Sequence, residues 1–180
     1  MRLFFIVSVF FIALIPFGVD VYYTTPDDPR YIALVSGAYT GTPENELVFV
    51  GSMLGFFEAK LYSYFPDFEW YSIIYYIFTL LAFATILWQV LISSLGKWRK
   101  IALAVLVLIT QVYLSLTPQF TPLATQLGFA SFVLLFSRNG GRKRFLLSLL
   151  LFLFAVQVRL AAAFIPYMIA CPLFFKDINV

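Results

Sequence analysis

The feature that most constrains this chain is a series of long apolar stretches separated by short charged clusters. The two clearest stretches, from Tyr71 to Leu95 and from Phe145 to Ile165, are long enough to cross the roughly 30 Å hydrocarbon core of a bilayer as helices. A helix satisfies all of its backbone hydrogen bonds internally, which the interior of a bilayer requires. The sequence therefore predicts an all-α integral membrane protein.

Five transmembrane helices are predicted, and they form a single membrane domain over residues 1–180. The first is short for a span, and a signal peptide is the alternative. The residues before Asp20, among them Pro16, Phe17 and Val19, contain no small-residue cleavage site, which favours an uncleaved helix. The predicted spans are 3–19, 71–95, 101–116, 121–137 and 145–165, followed by an outer or re-entrant tail at 166–180.

Two basic clusters between the spans predict the orientation of the chain. "GKWRK" at Gly96–Lys100 and "SRNGGRKR" at Ser137–Arg144 contain no acid. Because cytoplasmic loops carry an excess of Lys and Arg, both clusters and the N-terminus with Arg2 are predicted to be cytoplasmic. The segment 20–70 then lies outside.

The composition excludes several classes of function. With no histidine and one cysteine among 180 residues, the chain cannot form an imidazole site, a Ser-His-Asp triad or a multi-cysteine metal site. Its basic residues lie in short clusters between apolar spans, which excludes nucleic acid as a partner. Proton chemistry must use carboxylates, tyrosines or lysines.

The segment 20–70 carries eight of the nine acids and only two basic residues, and it is too long for a passive connector. Two helices along the membrane surface are predicted in it. The first has Asp28 as its cap, Pro29 at its start and Gly37 at its end. The second begins at Thr42 and Pro43, and its apolar residues recur at helical spacing. That apolar stripe, from which Glu58 and Lys60 lie apart, consists of Leu47, Val50, Leu54, Phe57, Leu61 and Phe65.

Asp27 and Asp28 follow the first span closely and are the candidate catalytic residues. Two adjacent acids that are partly shielded from water repel each other, so that one holds its proton more tightly and can act as a base. In the alternative, Asp28 only caps a helix and Asp27 is solvated.

Arg159 lies fourteen residues into the predicted fifth span, roughly 21 Å along a helix. An arginine at that depth normally pairs with an acid, a phosphate or backbone carbonyls, although snorkelling to the headgroups is the alternative. Arg159 and the aspartate pair are expected at one membrane level, where a lipid phosphate can bridge them. Gln119 and Thr121, in the predicted outer turn, are candidates to line the same cavity. Four glutamines, Gln111, Gln119, Gln126 and Gln157, add polar groups in or beside the spans, and the alternative is that they only form interhelical hydrogen bonds.

The layout resembles the start of GT-C glycosyltransferases, and "DDPRYIALVSGAYTGTPENELVF", "PQFTPLA" and "VRLAAAFIP" are similar to GtrII-like bacterial membrane proteins. The resemblance implies sugar transfer from a polyprenyl-phosphate carrier to a polysaccharide or lipid acceptor outside the bacterial inner (plasma) membrane. The resemblance also makes Asp27 or Asp28 either the general base or part of a metal site. Whether a divalent metal is a cofactor is therefore left open. Arg159 would stabilise the departing phosphate, and Arg30, Gln119 and Thr121 would contact substrate.

The chain departs from the family in length, because GT-C enzymes have about twice as many spans. A fragment, a truncated open reading frame or a reduced relative is therefore expected. The alternatives are a carrier or flippase subunit and a structural protein that assembles with a membrane-protein partner. Besides the polyprenyl-phosphate sugar, the expected partners are the surrounding membrane lipids.

Overall fold

The computed structural model describes residues 1–20, 22–23, 25–45, 50–137 and 141–175, the last five as backbone only, and these residues form seven α-helices with no strand. By length and composition, α4, α5 and residues Arg142–Ala170 of α7 could cross a membrane, while α1 and α6 are shorter apolar helices. The all-α class is confirmed. The helices are α1 (Arg2–Gly18), α2 (Asp27–Val35), α3 (Ser52–Tyr64), α4 (Trp70–Ile92), α5 (Lys97–Leu116), α6 (Phe120–Leu135) and α7 (Arg142–Phe175).

Four of the five predicted spans coincide with α1, α4, α5 and α6, with ends that differ by at most about four residues, as is usual for helix termini. The largest difference is at the start of α5. Its helix begins at Lys97, because the basic cluster "KWRK" forms the first turn instead of a loop. Between α5 and α6, Pro118 has no N–H to continue a helix, so the chain changes direction there.

Helices α4, α6 and α7 form the main core, around Tyr75, Leu127 and Ala155. Small residues allow α6 and α7 to approach closely, and a Cβ added at Gly128 would overlap the carbonyl oxygen of Ala163. A second cluster joins α1, α4 and α5, with Phe83 at its centre. Many large apolar side chains on the outward faces are exposed, which is typical of helices whose solvent is lipid.

Helix α7 reverses direction at Arg159, whose backbone is extended (φ −162°, ψ 108°). The hydroxyl of Ser131 lies 3.1 Å from that of Ser148 and 2.7 Å from that of Tyr167. In a straight helix Ser148 and Tyr167 of α7 would lie roughly 28 Å apart and could not both contact Ser131. Residues 142–158, the first arm, are therefore followed by a second arm, residues 160–175, that runs back beside them. Phe152 in the first arm accordingly packs against Phe164 and Tyr167 in the second.

The prediction of one uninterrupted helix over 145–165 is therefore wrong. The segment contains no glycine or proline at the break, so tertiary contacts account for it. The N–H of Gly51 donates to the carbonyl of Gln157 at 2.5 Å, an acceptor that an uninterrupted helix would pair with Ala161. The second arm also covers most of the predicted tail, of which residues 176–180 lie outside the described part.

Helices α2 and α3 occupy the segment between α1 and α4. As predicted, α2 is followed by Gly37, with φ +79°, a conformation that glycine adopts without strain. Helix α3 begins at Ser52, later than the predicted start at Thr42, and residues 43–45 are not helical. Residues 46–49, which carry the predicted Leu47, lie outside the described part.

The predicted apolar stripe of α3 does not form its buried face. Phe57 and Phe65 are both 54% exposed, whereas Glu58 and Tyr62 are buried against α2 and α4. The reason is that tyrosines on three helices form hydrogen bonds and ring contacts between the helices, which turns the polar side of α3 inward.

Candidate functional site

Asp28 is completely buried and joins three parts of the chain. Its carboxylate accepts hydrogen bonds from the hydroxyl of Thr25 (3.0 Å), the backbone N–H of Phe120 (3.1 Å) and the hydroxyl of Tyr71. The cap residue of α2 is Pro26, so the alternative in which Asp28 caps its own helix is wrong. The carboxylate instead satisfies the first N–H of α6, as an N-terminal cap does.

The environment of Asp28 raises the pKa of its carboxyl group. Burial is the largest cause, the hydrogen bonds from Tyr71, Phe120 and Thr25 oppose it, and the charge of Asp27 adds the smallest contribution. Repulsion within the aspartate pair, from which a raised pKa was expected, is thus a minor effect. Asp27 itself is exposed on α2.

Glu58 is a second buried carboxylate, 2% exposed, and it accepts a hydrogen bond from the hydroxyl of Tyr31. Burial raises its pKa to about 7. The rings of Tyr31 and Tyr71 lie 5.4 Å apart, so the two carboxylates belong to adjoining carboxylate–tyrosine pairs. A cavity of about 20 Å³ lies between Glu58, these rings and Tyr75, which is room for one water molecule.

Sequence reasoning missed Glu58, because its position off the apolar stripe indicated a solvated side chain. One signal was available. Gly55, Ala59 and Tyr62 share a helix face with Glu58, and small residues on one face allow the close approach of another helix.

The guanidinium of Arg159 donates to the hydroxyl of Thr121 and lies 5.2 Å from the centre of the Phe120 ring. The side chain is partly buried. Because α7 reverses at this residue, Arg159 is placed at the turn between the two arms and not inside a continuous span. Cation–π contact with Phe120 and the hydrogen bond to Thr121 hold it against the first turn of α6.

The two opposite charges therefore meet the same short stretch, residues 119–121, from different sides. Asp28 contacts the backbone of Phe120 and Arg159 contacts its ring, while the amide of Gln119 donates to Thr25 at 3.4 Å. We call this group the α6 N-terminal site; it consists of Asp28, Gln119, Phe120, Thr121 and Arg159. Of the other residues singled out from sequence, Asp27 and Arg30 are exposed on α2 and are not part of this group.

Buried amides link α5 to α6 below this site. Gln126 donates to the side-chain oxygen of Gln111 at 2.6 Å, and Gln111 donates to the hydroxyl of Ser115 at 3.3 Å. An interhelical hydrogen bond is confirmed for Gln111 and Gln126. Within the part of the chain that the structure describes, it is not found for Gln157, and the side-chain oxygens of Gln126 and Gln157 are buried without a hydrogen-bond partner.

The α6 N-terminal site does not fit a divalent metal. Three donors already occupy the carboxylate of Asp28, and Mg²⁺ or Ca²⁺ needs several free oxygen ligands. In the described part of the chain, no three acidic or cysteine side chains come together in a group that could hold a metal ion.

Comparisons of the chain with protein-family models, with curated proteins and with solved structures found no match.

Proposed function

We propose that the chain is a membrane glycosyltransferase-like protein that transfers a sugar from a polyprenyl-phosphate donor to a cell-surface polysaccharide or lipid acceptor. The observation that carries this proposal is the position of Arg159 at the reversal of α7, in contact with the first turn of α6.

This position suits a phosphate. The start of the second arm of α7 is a helix N-terminus, which carries partial positive charge, whereas the N-terminus of α6 is already capped by Asp28. The guanidinium of Arg159 offers a planar fork of donors that matches two phosphate oxygens. In the proposed reaction Arg159 and Thr121 bind the phosphate of the donor and stabilise the charge that develops as it leaves.

Of the two aspartates, Asp27 is the one that an acceptor can reach, because Asp28 is buried and hydrogen-bonded. Asp27 accepts the proton of an acceptor hydroxyl, whose oxygen bonds to the anomeric carbon. The bond between that carbon and the phosphate oxygen breaks, and polyprenyl phosphate leaves with the electron pair. Arg30 lies three residues after Asp27 on the same face of α2 and contacts the substrate there. Gln119 borders the bound substrate.

The proposed topology places the N-terminus in the cytoplasm of a bacterium and the segment 20–70 on the outer side of its inner membrane. Helices α1, α4, α5, α6 and the first arm of α7 are the five spans, of which α1, α6 and the first arm are short and require local thinning of the bilayer. The second arm of α7 re-enters the membrane beside the first. The positive-inside distribution of Lys and Arg supports this orientation.

The test is binding and transfer by the purified chain in liposomes that contain a polyprenyl-phosphate sugar. Arg159→Gln is expected to weaken binding of polyprenyl phosphate by about tenfold or more. Arg159→Lys is expected to weaken it less, because lysine keeps the positive charge and loses only the planar pair of N–H donors. Lys60→Gln, which removes an exposed cation from α3, is the matched control. Equal binding by Arg159→Gln and the control would refute the phosphate assignment.

A non-catalytic membrane protein, either a carrier or flippase subunit or a structural partner, is the second candidate. The reversal of α7 favours it, since broken helices line substrate paths in transporters. Asp27→Asn separates the two: it is expected to abolish sugar transfer and leave lipid binding unchanged if the chain is an enzyme. Transport or assembly that persists in Asp27→Asn without any transfer by the parent chain would favour the second candidate.

A further inference from the structure

A groove of about 700 Å³ lies between α4, α5 and α6, at the end of the molecule that carries the basic clusters. Each helix contributes one face to its apolar wall. Ile86 and Val90 come from α4, and Phe129 and Val133 come from α6, at spacings of four residues. Leu106 on α5 lines the groove and is 58% exposed, so the groove opens to the surroundings beside this residue.

The mouth of the groove is polar and contains the guanidinium of Arg144, which a hydrogen bond holds in place. Arg144, which is partly buried, donates through Nη1 to the hydroxyl of Ser137 at 2.9 Å. The side chains of Gln89, Ser93 and Ser94 line the same end. Lining residues thus include one guanidinium and several neutral donors, and no carboxylate.

An apolar wall that ends in a cation and hydroxyl groups matches an amphiphile with a negative head. We propose that the groove binds an anionic phospholipid of the surrounding membrane, with its phosphate on Arg144 and its acyl chains along the apolar wall. Charge selects this occupant over a zwitterionic lipid, because Arg144 faces the mouth and the neighbouring Arg142 and Lys143 add to the local positive potential. The groove is separate from the α6 N-terminal site, so this proposal is independent of the proposed function.

The experiment measures lipid retention by the full chain in nanodiscs of phosphatidylglycerol or phosphatidylcholine, read out by native mass spectrometry after release. The parent chain is expected to retain phosphatidylglycerol in preference to phosphatidylcholine. Arg144→Gln is expected to lower that preference about fivefold or more, because it removes the donor that contacts the lipid phosphate directly and not only a surface charge. Lys143→Gln removes the same charge one residue away, from an exposed side chain that does not line the groove and is screened by solvent, and it is expected to change the preference by less than about twofold.

A second variant tests the apolar wall without changing charge. Leu106→Trp fills the groove from its open side and is expected to lower retention of both lipids, with the thermal unfolding curve unchanged. Equal effects of Arg144→Gln and Lys143→Gln would show attraction by general surface potential and overturn the proposal. Displacement of phosphatidylglycerol by inorganic phosphate alone would also overturn it, because a lipid held by its chains would stay.

Discussion

The two ends of the molecule use their charges in opposite ways. At the end formed by α2, α3 and the start of α6, the carboxylates of Asp28 and Glu58 are buried and hydrogen-bonded to residues of other helices. At the other end, Lys97, Arg99 and Lys143 are exposed at the starts of α5 and α7. Buried charges must be hydrogen-bonded to be tolerated, so those at the first end fix how helices meet, whereas exposed cations act on whatever surrounds the protein.

The comparison predicts that substitutions at the first end change the stability of the fold and that those at the second change it little. A buried carboxylate that joins three segments is the most sensitive kind of position, because its removal leaves every donor that bonded to it without a hydrogen-bond partner. The four predictions that follow test this contrast.

Asp28→Ala is expected to have the largest effect, a loss of about 3 to 5 kcal/mol in the free energy of unfolding, because it leaves the donors of Tyr71, Phe120 and Thr25 unsatisfied. Asp28→Asn keeps an acceptor and should cost less. Thermal unfolding in detergent measures both. Asp27→Ala, at the exposed neighbour, is the control, and an equal loss from it would contradict the contrast.

Glu58 is expected to make stability depend on pH. Burial raises its pKa from 4.5 to about 7, so the folded chain favours the protonated form, and stability is fully present below pH 4.5 and lost as the pH rises through about 7. The loss corresponds to about 3 kcal/mol. Unfolding curves of Glu58→Gln should lose the part of this dependence that lies around pH 7, because the amide cannot ionise and its oxygen can still accept from Tyr31; the raised pKa of Asp28 contributes the rest. The exposed Asp67→Asn should retain the full dependence of the parent chain, and a loss of stability around pH 7 that is as large in Glu58→Gln as in the parent chain would assign it to another group.

Gly128→Ala is expected to cost about 1 to 3 kcal/mol, because the new methyl group overlaps the carbonyl of Ala163 in the second arm of α7. The substitution tests whether a neutral contact that depends on the reversal of α7 is as sensitive as the buried charges. Gly18→Ala, where a Cβ meets nothing within 4 Å, is the matched control for helix propensity. Equal unfolding temperatures of the two variants would argue against the close approach of α6 and the second arm.

Lys143→Gln and Arg99→Gln are expected to have the smallest effect, within about 0.5 kcal/mol, because both side chains are exposed at the starts of helices. The same unfolding assay measures them. A loss as large as that of Gly128→Ala would show that the basic end also holds the fold together.

The sequence by itself determined the class of the protein and the positions of four of its long helices. Apolar runs of this length have one low-energy form in lipid, and it is set by residues close together along the chain. For the same reason Gly37 was recognised as the end of α2, since the need for a positive φ is a local property.

Only the tertiary structure decided where the charges lie and where α7 turns. The burial of Glu58, the cap that Asp28 provides to α6 and the reversal at Arg159 all depend on partners far away in sequence, such as Tyr31 and Gly51. Periodicity places a side chain on a face of its own helix, but the energy of a buried polar group is set by the neighbours that reach it across the fold. An acid such as Glu58 therefore has the same pattern in sequence whether it is solvated or at the centre of a site.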